Sequence, residues 1–202
     1  MSSRREVLRA LGGVTALGPV FAGCLGTGNG GDGTTRTGTT VPTSTSMTVS
    51  SPAFSAGASV PARFTCDGED VSPPLSFDGV PGDAAALALV VDDPDAPGGT
   101  FTHWLLWNLP PDVTEIPANV PTDRTVASLD GARQGTNDFG AVGYRGPCPP
   151  SGDDAHTYRF TLYALGGSLD VEAGAGRGRL SGPLGEQATS RAQFTAQFAR
   201  KS

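Results

Sequence analysis

Proline and glycine decide what this chain can become. Its 202 residues include 29 glycines and 17 prolines. From Met47 onward they interrupt nearly every apolar stretch, as an all-β chain with tight turns requires. The runs that survive between the breaks are strand-like. Ala85 to Val91 is a near-continuous Ala/Leu/Val run bounded by Gly82-Asp83 and Asp92-Asp93-Pro94, which is the pattern of a buried strand. Phe101 to Leu109 and Thr157 to Leu165 are the next such runs, and Ala192, Phe194, Ala196 and Phe198 alternate with polar residues. A period of two places Phe101, His103, Leu105 and Trp107 on one face. It likewise groups His156, Tyr158, Phe160, Leu162 and Ala164. A helix is expected only near Leu180 to Ser190, and glycines there oppose it at about 1 kcal/mol each. The expected fold is all-β: an antiparallel two-sheet, Greek-key-like sandwich with one or two short helices.

The first residues do not belong to that fold. Arg4-Arg5 precedes a modest apolar run from Leu11 to Ala22 that is too short and Gly-rich to span a bilayer. Residues 1–23 read as a twin-arginine signal peptide. Its end, Phe21-Ala22-Gly23-Cys24, resembles a lipobox, with Cys24 as the lipidated residue. Phe21 stands where such motifs carry Leu, and ordinary cleavage is the alternative. Residues 24–46 are mostly Gly and Thr and offer little that is apolar to offset ordering entropy, so they read as a flexible tether. The expected organisation is signal peptide, tether, and one domain over 47–202. It places the protein outside the cell membrane, held by an N-terminal lipid anchor.

Charge narrows the function. The formal net charge is −6, whereas nucleic-acid binding needs a basic stripe. Lys201 is the only lysine and Asp greatly outnumbers Glu. Such a surface suits concentrated salt, where screened carboxylates remain hydrated.

With Cys24 assigned to the anchor, Cys66 and Cys148 remain. Two cysteines in an exported domain are expected to pair. Closing a loop of about eighty residues stabilises a fold by roughly 4 kcal/mol on the loop-entropy argument. The alternative makes Cys148 a nucleophile, which would require a nearby base.

The two histidines, His103 and His156, each open an apolar strand after a stiff loop. Asp92-Asp93-Pro94-Asp95-Ala96-Pro97 precedes the first; taken alone it reads as a turn, and His103 as a core histidine. Gly146-Pro147-Cys148-Pro149-Pro150 precedes the second and is more specific, because it can be neither helix nor inner strand. Side by side, the two units would form a small polar pocket over a β core.

These segments, with Phe101-Thr102-His103-Trp104, Asn137-Asp138-Phe139-Gly140 and His156-Thr157-Tyr158, resemble the phosphatidylethanolamine-binding protein family. The likeness is greatest to its bacterial and archaeal Raf kinase inhibitor-like branch. Ser51-Pro52-Ala53-Phe54 and the stretch from Thr65 to Leu75 are similar to that branch too. The resemblance implies a β-sandwich with a pocket for phosphate-like anions, including phospholipid head groups. It implies Asp93, His103, Gly146, Pro150, His156 and Tyr158 as pocket residues, with Asp95 ordering the loop beside them. Imidazole, phenol and the Gly146 N–H would donate to the anion, and Asp93 would orient or charge a histidine. Three departures stand out. Thr157 replaces an expected Arg, Ser151 to Ala155 adds carboxylates at the pocket mouth, and the helix is Gly-rich.

The expectation is therefore a non-enzymatic binding protein with no cofactor and no metal site. Two alternatives are an inhibitor that docks a partner protein and, with less support, a His/Asp hydrolase. No Ser or Cys lies in a recognisable nucleophile motif.

Overall fold

The computed structural model describes residues 46–200. The expected signal peptide, Cys24 and nearly all of the tether lie outside them. Within them, nine strands form two antiparallel sheets. β1 (Thr48–Ser50), β2 (Leu75–Asp78) and β5 (Glu115–Ile116) make a three-stranded sheet in the order β1-β2-β5. The other strands are β3 (Ala86–Asp93), β4 (Phe101–Leu109), β6 (Thr125–Val126), β7 (Ala132–Gln134), β8 (His156–Leu165) and β9 (Ala188–Phe198). They make a six-stranded sheet in the order β6-β7-β4-β3-β8-β9. The expected all-β two-sheet sandwich is what the chain forms.

The position of β3 explains its sequence. It pairs with β4 on one side and β8 on the other, and all eight of its residues are buried. Leu87, Leu89 and Val91 face the core between the sheets, with Leu75, Phe77, Trp104, Leu106, Phe160 and Leu162. Ala86, Ala88 and Val90 face a second core with Leu105, Trp107, Leu169, Leu180 and Leu184. A strand covered on both faces cannot alternate in polarity.

The second core exists because one helix, α1 (Arg177–Gln187), lies on the outer face of the large sheet. It begins three residues before the expected Leu180 and ends before Ser190. Only Leu180 and Leu184, one turn apart, are buried in it. Packing of that pair, not helix propensity, holds a segment containing Gly178, Gly182, Pro183 and Gly185. Two 3-10 turns, Ala62–Phe64 and Ala127–Leu129, complete the helical content of the described residues.

One expectation about faces is wrong. Val91 lies opposite Trp104, but Asp92 lies opposite Thr102. His103 is thus an extra residue in β4, a β-bulge that breaks the period of two. Past the bulge, Trp104 and Leu106 face the inter-sheet core, and Leu105 and Trp107 face the helix. His103 and Phe101 therefore do not share the face of Leu105 and Trp107.

At Gly185, also inside the helix, a Cβ would stand in open space. Gly185→Ala is expected to stabilise the domain by about 0.5–1 kcal/mol, since alanine loses less backbone freedom in a helix. Urea unfolding checks this through a higher midpoint; a lower one would show that the glycine is structurally required.

Candidate functional site

The bulge brings His103 to the end of the sandwich where β3 ends and β8 begins. A cavity of about 240 Å³ opens there, lined by Asp93, Phe101, His103, Phe139, Pro150, His156 and Tyr158 among others. That is below the roughly 300–1,000 Å³ of sites for drug-sized ligands, and suits one small group.

Each imidazole is fixed through Nδ1. His103 Nδ1 lies 2.8 Å from the Arg145 carbonyl oxygen. A carbonyl only accepts, so Nδ1 carries hydrogen and Nε2 is left for the cavity. The Arg145 N–H returns a bond to the His103 carbonyl at 3.1 Å. His156 Nδ1 lies 2.7 Å from Asp93 Oδ2, again as donor. Asp93 is held in turn, its Oδ1 accepting the Asp95 N–H at 2.8 Å. Asp95 Oδ2 accepts the Thr157 N–H at 2.8 Å. Asp95 thus ties the loop after β3 to the start of β8 and does not line the cavity.

Tyr158 forms the floor. Its ring meets that of His103 edge-on at 5.2 Å. The residue is fully buried, and its hydroxyl has no hydrogen-bond partner in the protein. Burial, and secondarily the charge of Asp93, push the phenol well above its ordinary value of 10.0, so it stays protonated. Burial also lowers the His103 imidazole below 6.5, against the opposing pull of the Arg145 carbonyl and of Asp93. Its neutral form is the one the fold prefers. Below pH 6.5 the unfolded chain binds this proton more readily, so His103 contributes less stability as acidity rises.

The structure places Asp93, His103, Pro150, His156 and Tyr158 around one cavity. Gly146 stands apart, because its N–H donates to Asp70 Oδ1 at 2.6 Å and is not available to a ligand. Glycine is required there for another reason: a Cβ would collide with the Phe64 carbonyl. The brace extends further. Arg145 Nε lies 2.7 Å from Asp70 Oδ2, the Tyr144 hydroxyl donates to Phe64 O at 2.7 Å, and the Cys66 N–H donates to Pro147 O. Asp70 was not anticipated from the sequence, being 76 residues from its partner.

Phe139 was also not singled out as a site residue. It is the one exposed large hydrophobic among the described residues, at 44%. Asn137 Oδ1 accepts its N–H at 3.0 Å and fixes the turn that presents it. Its ring packs edge-on against Phe101 at 4.7 Å and against His103 at 5.4 Å. The site is thus a polar floor beneath an apolar lip. Among the described residues, no three or more metal-ligating side chains converge.

A family model described as phosphatidylethanolamine-binding protein matches residues 50–199. The chain belongs to the phosphatidylethanolamine-binding protein family. It is 53% identical over 131 residues to a UPF0098 protein of Methanothermobacter thermautotrophicus, covering 65% of this chain and 84% of that protein. It is 38% identical over 160 residues to LppC of Mycobacterium tuberculosis, named as a candidate lipoprotein, covering 79% of this chain and 76% of that one. The crystal structure of E. coli YbcL, described as a member of the mammalian PEBP family, superposes with a TM-score of 0.73 at 32% identity. That match covers 78% of this chain and all of the other.

The departures from the family pattern now have positions. Thr157 does not line the cavity. Its neighbour on the same strand face, Arg159, pairs with Asp92 at 2.7 Å. Asp153 Oδ2 lies 3.8 Å from His156 Nε2, which places a carboxylate at the mouth. The Gly-rich helix contributes nothing to the cavity wall and caps the opposite face of the sheet.

Cys66 and Cys148 form a disulfide, with Cα atoms 5.4 Å apart. This removes Cys148 as a nucleophile, although the residue lines the cavity. Replacing both cysteines by alanine should cost about 4 kcal/mol through freed loop entropy. Guanidinium unfolding would register it as a lower midpoint. An unchanged midpoint would mean that the bonds around Asp70 and Tyr144 suffice to hold the loop.

Proposed function

We propose that the cavity binds a phosphate-like group, free or on a phosphorylated or phospholipid ligand, and that the protein acts as a binding protein without catalysing a reaction. The observation that carries this reading is the Tyr158 hydroxyl. A buried hydroxyl without a partner costs about 1–3 kcal/mol, and native structures rarely retain one without use. Tyr158 lines the cavity beside both imidazoles, with the Asp93 carboxylate and the Cys148 backbone close to its hydroxyl, and an anion oxygen drawn into the cavity would satisfy it.

The lining residues favour binding over hydrolysis. Asp93 and His156 are paired as in a general-base dyad, but no Ser or Thr hydroxyl lines the cavity and Cys148 is spent in the disulfide. The Tyr158 phenol is held protonated and makes a poor nucleophile.

Tyr158→Phe separates function from fold. It removes an unsatisfied hydroxyl, so stability should be unchanged or higher. Loss of a bond to a charged ligand, at about 1.5–3 kcal/mol, should weaken phosphate binding about tenfold or more. Calorimetric titration with inorganic phosphate, alongside thermal unfolding, measures both. Equal affinity in parent and variant would remove Tyr158 from the site.

The same reading places the domain outside the cytoplasmic membrane, anchored through Cys24. The twin arginine, the Ala22-Gly23-Cys24 sequence and the Gly/Thr tether support it, as does similarity to a relative named as a candidate lipoprotein. Cys24→Ser is expected to leave the precursor unprocessed or release the domain to the medium. Membrane retention of a normally processed Cys24→Ser protein would refute lipidation at this residue.

A further inference from the structure

The donors and acceptors around the cavity do not match a fully deprotonated anion. His103 spends its hydrogen on the Arg145 carbonyl, so its Nε2 faces the cavity as a lone pair. A bare dianion would set its own lone pairs against it. The surrounding charge works in the same direction. Asp93 borders the cavity from β3, Asp95 follows it, Asp138 lies beyond β4 and Asp153 stands at the mouth. Against these, β8 supplies only His156, whose Nδ1 is committed to Asp93, and the phenol of Tyr158. The nearest guanidinium, Arg145, is held by Asp70 at 2.7 Å and lies over the Phe139 ring at 5.7 Å.

We propose that this site takes a phosphomonoester as its protonated monoanion, the ligand's own P–O–H donating to His103 Nε2 while Tyr158 O–H donates to a phosphoryl oxygen. The inference rests on the phosphate reading of the cavity and adds selection by hydrogen inventory. Sulfate has the same shape but no hydrogen at neutral pH. A phosphodiester has a single charge but likewise no hydrogen. Both leave His103 Nε2 unpaired in a buried place, and a site built around a buried polar partner rejects analogues that lack it. Protons balance simply. Above the second pKa of a phosphomonoester, about 6, the dianion predominates in solution, so binding draws one proton from solvent into the P–O–H···Nε2 bond.

The test uses the whole domain at fixed high salt, with methyl phosphate, sulfate and dimethyl phosphate as probes. Titration calorimetry at pH 7.5 in two buffers of different protonation enthalpy counts the protons. Methyl phosphate is expected to bind with uptake of about one proton, and to weaken about tenfold per pH unit above its second pKa. Sulfate and dimethyl phosphate should bind at least about tenfold more weakly. In His103→Gln an amide N–H can replace the lone pair, so the preference over sulfate and the proton uptake should both shrink. Sulfate binding as tightly as methyl phosphate, or methyl phosphate binding without proton uptake, would overturn the proposal and leave the phosphate site standing. Unchanged selectivity in a folded His103→Gln protein would overturn the role of His103. Failure of all three anions to bind at any pH would overturn the phosphate reading itself.

Discussion

Two adjacent carboxylates at the end of the central strand organise both faces of this domain. Asp92 and Asp93 are 4% and 3% exposed, and a buried charge is tolerated only when it is paired and hydrogen-bonded. Because side chains alternate across a strand, the two cannot share a partner. Asp92 points to the helix side and is met by Arg159 at 2.7 Å and by Arg177, at the start of α1, at 3.5 Å. Asp93 points to the cavity side and is met by His156 at 2.7 Å and by the Asp95 N–H. Neutralising the strand end thus positions the helix on one face and a site imidazole on the other.

The rest of the site is assembled by a different device. The bulge in β4 turns His103 toward the cavity, and the Arg145 carbonyl and N–H lock both its ring and its backbone. Arg145 belongs to the rigid Gly-Pro-Cys-Pro loop, which depends on Asp70 and the disulfide for its position. The cavity wall is therefore tied to a segment almost eighty residues earlier in the chain.

The strands were legible because their apolar runs are unbroken and bounded by proline and glycine. Phe101 to Leu109 is read to the residue, while β3 starts one residue later and ends two later than expected, and β8 and β9 start one and four residues earlier. The His, Asp and Tyr of the cavity were legible through motifs that resemble a known family. The facing of His103 was not, because a bulge is set by cross-strand register and leaves no mark on a single strand's periodicity. The commitment of the Gly146 N–H was not legible either, because its acceptor Asp70 lies in a turn where nothing local distinguishes it from an ordinary surface Asp. Asp70 adopts a φ of 57°, a conformation that Asp tolerates better than most residues. Phe139 stood inside a quoted motif but read as part of a turn, since exposure is a property of the folded surface.

Salt acts in opposite senses at the mouth and on the floor. The mouth carries Asp153, 3.8 Å from His156 Nε2, with Asp154 beside it, in a chain whose formal charge is −6. At low ionic strength these carboxylates repel any anion that approaches. At about 1 M salt the Debye length falls to roughly 3 Å, and that repulsion is screened away. The bonds on the floor operate at hydrogen-bond distance inside a buried wall, where screening is weak. A pocket of this charge pattern would therefore gain net affinity for an anion as salt is added, the reverse of a site that relies on surface lysines. On the proposed reading, an Asp-rich, Lys-poor surface and a floor that recognises through phenol and imidazole hydrogen bonds would be mutually consistent solutions to holding an anion in concentrated electrolyte. The attraction would then move from long-range charge, which salt removes, to short hydrogen bonds, which it leaves in place.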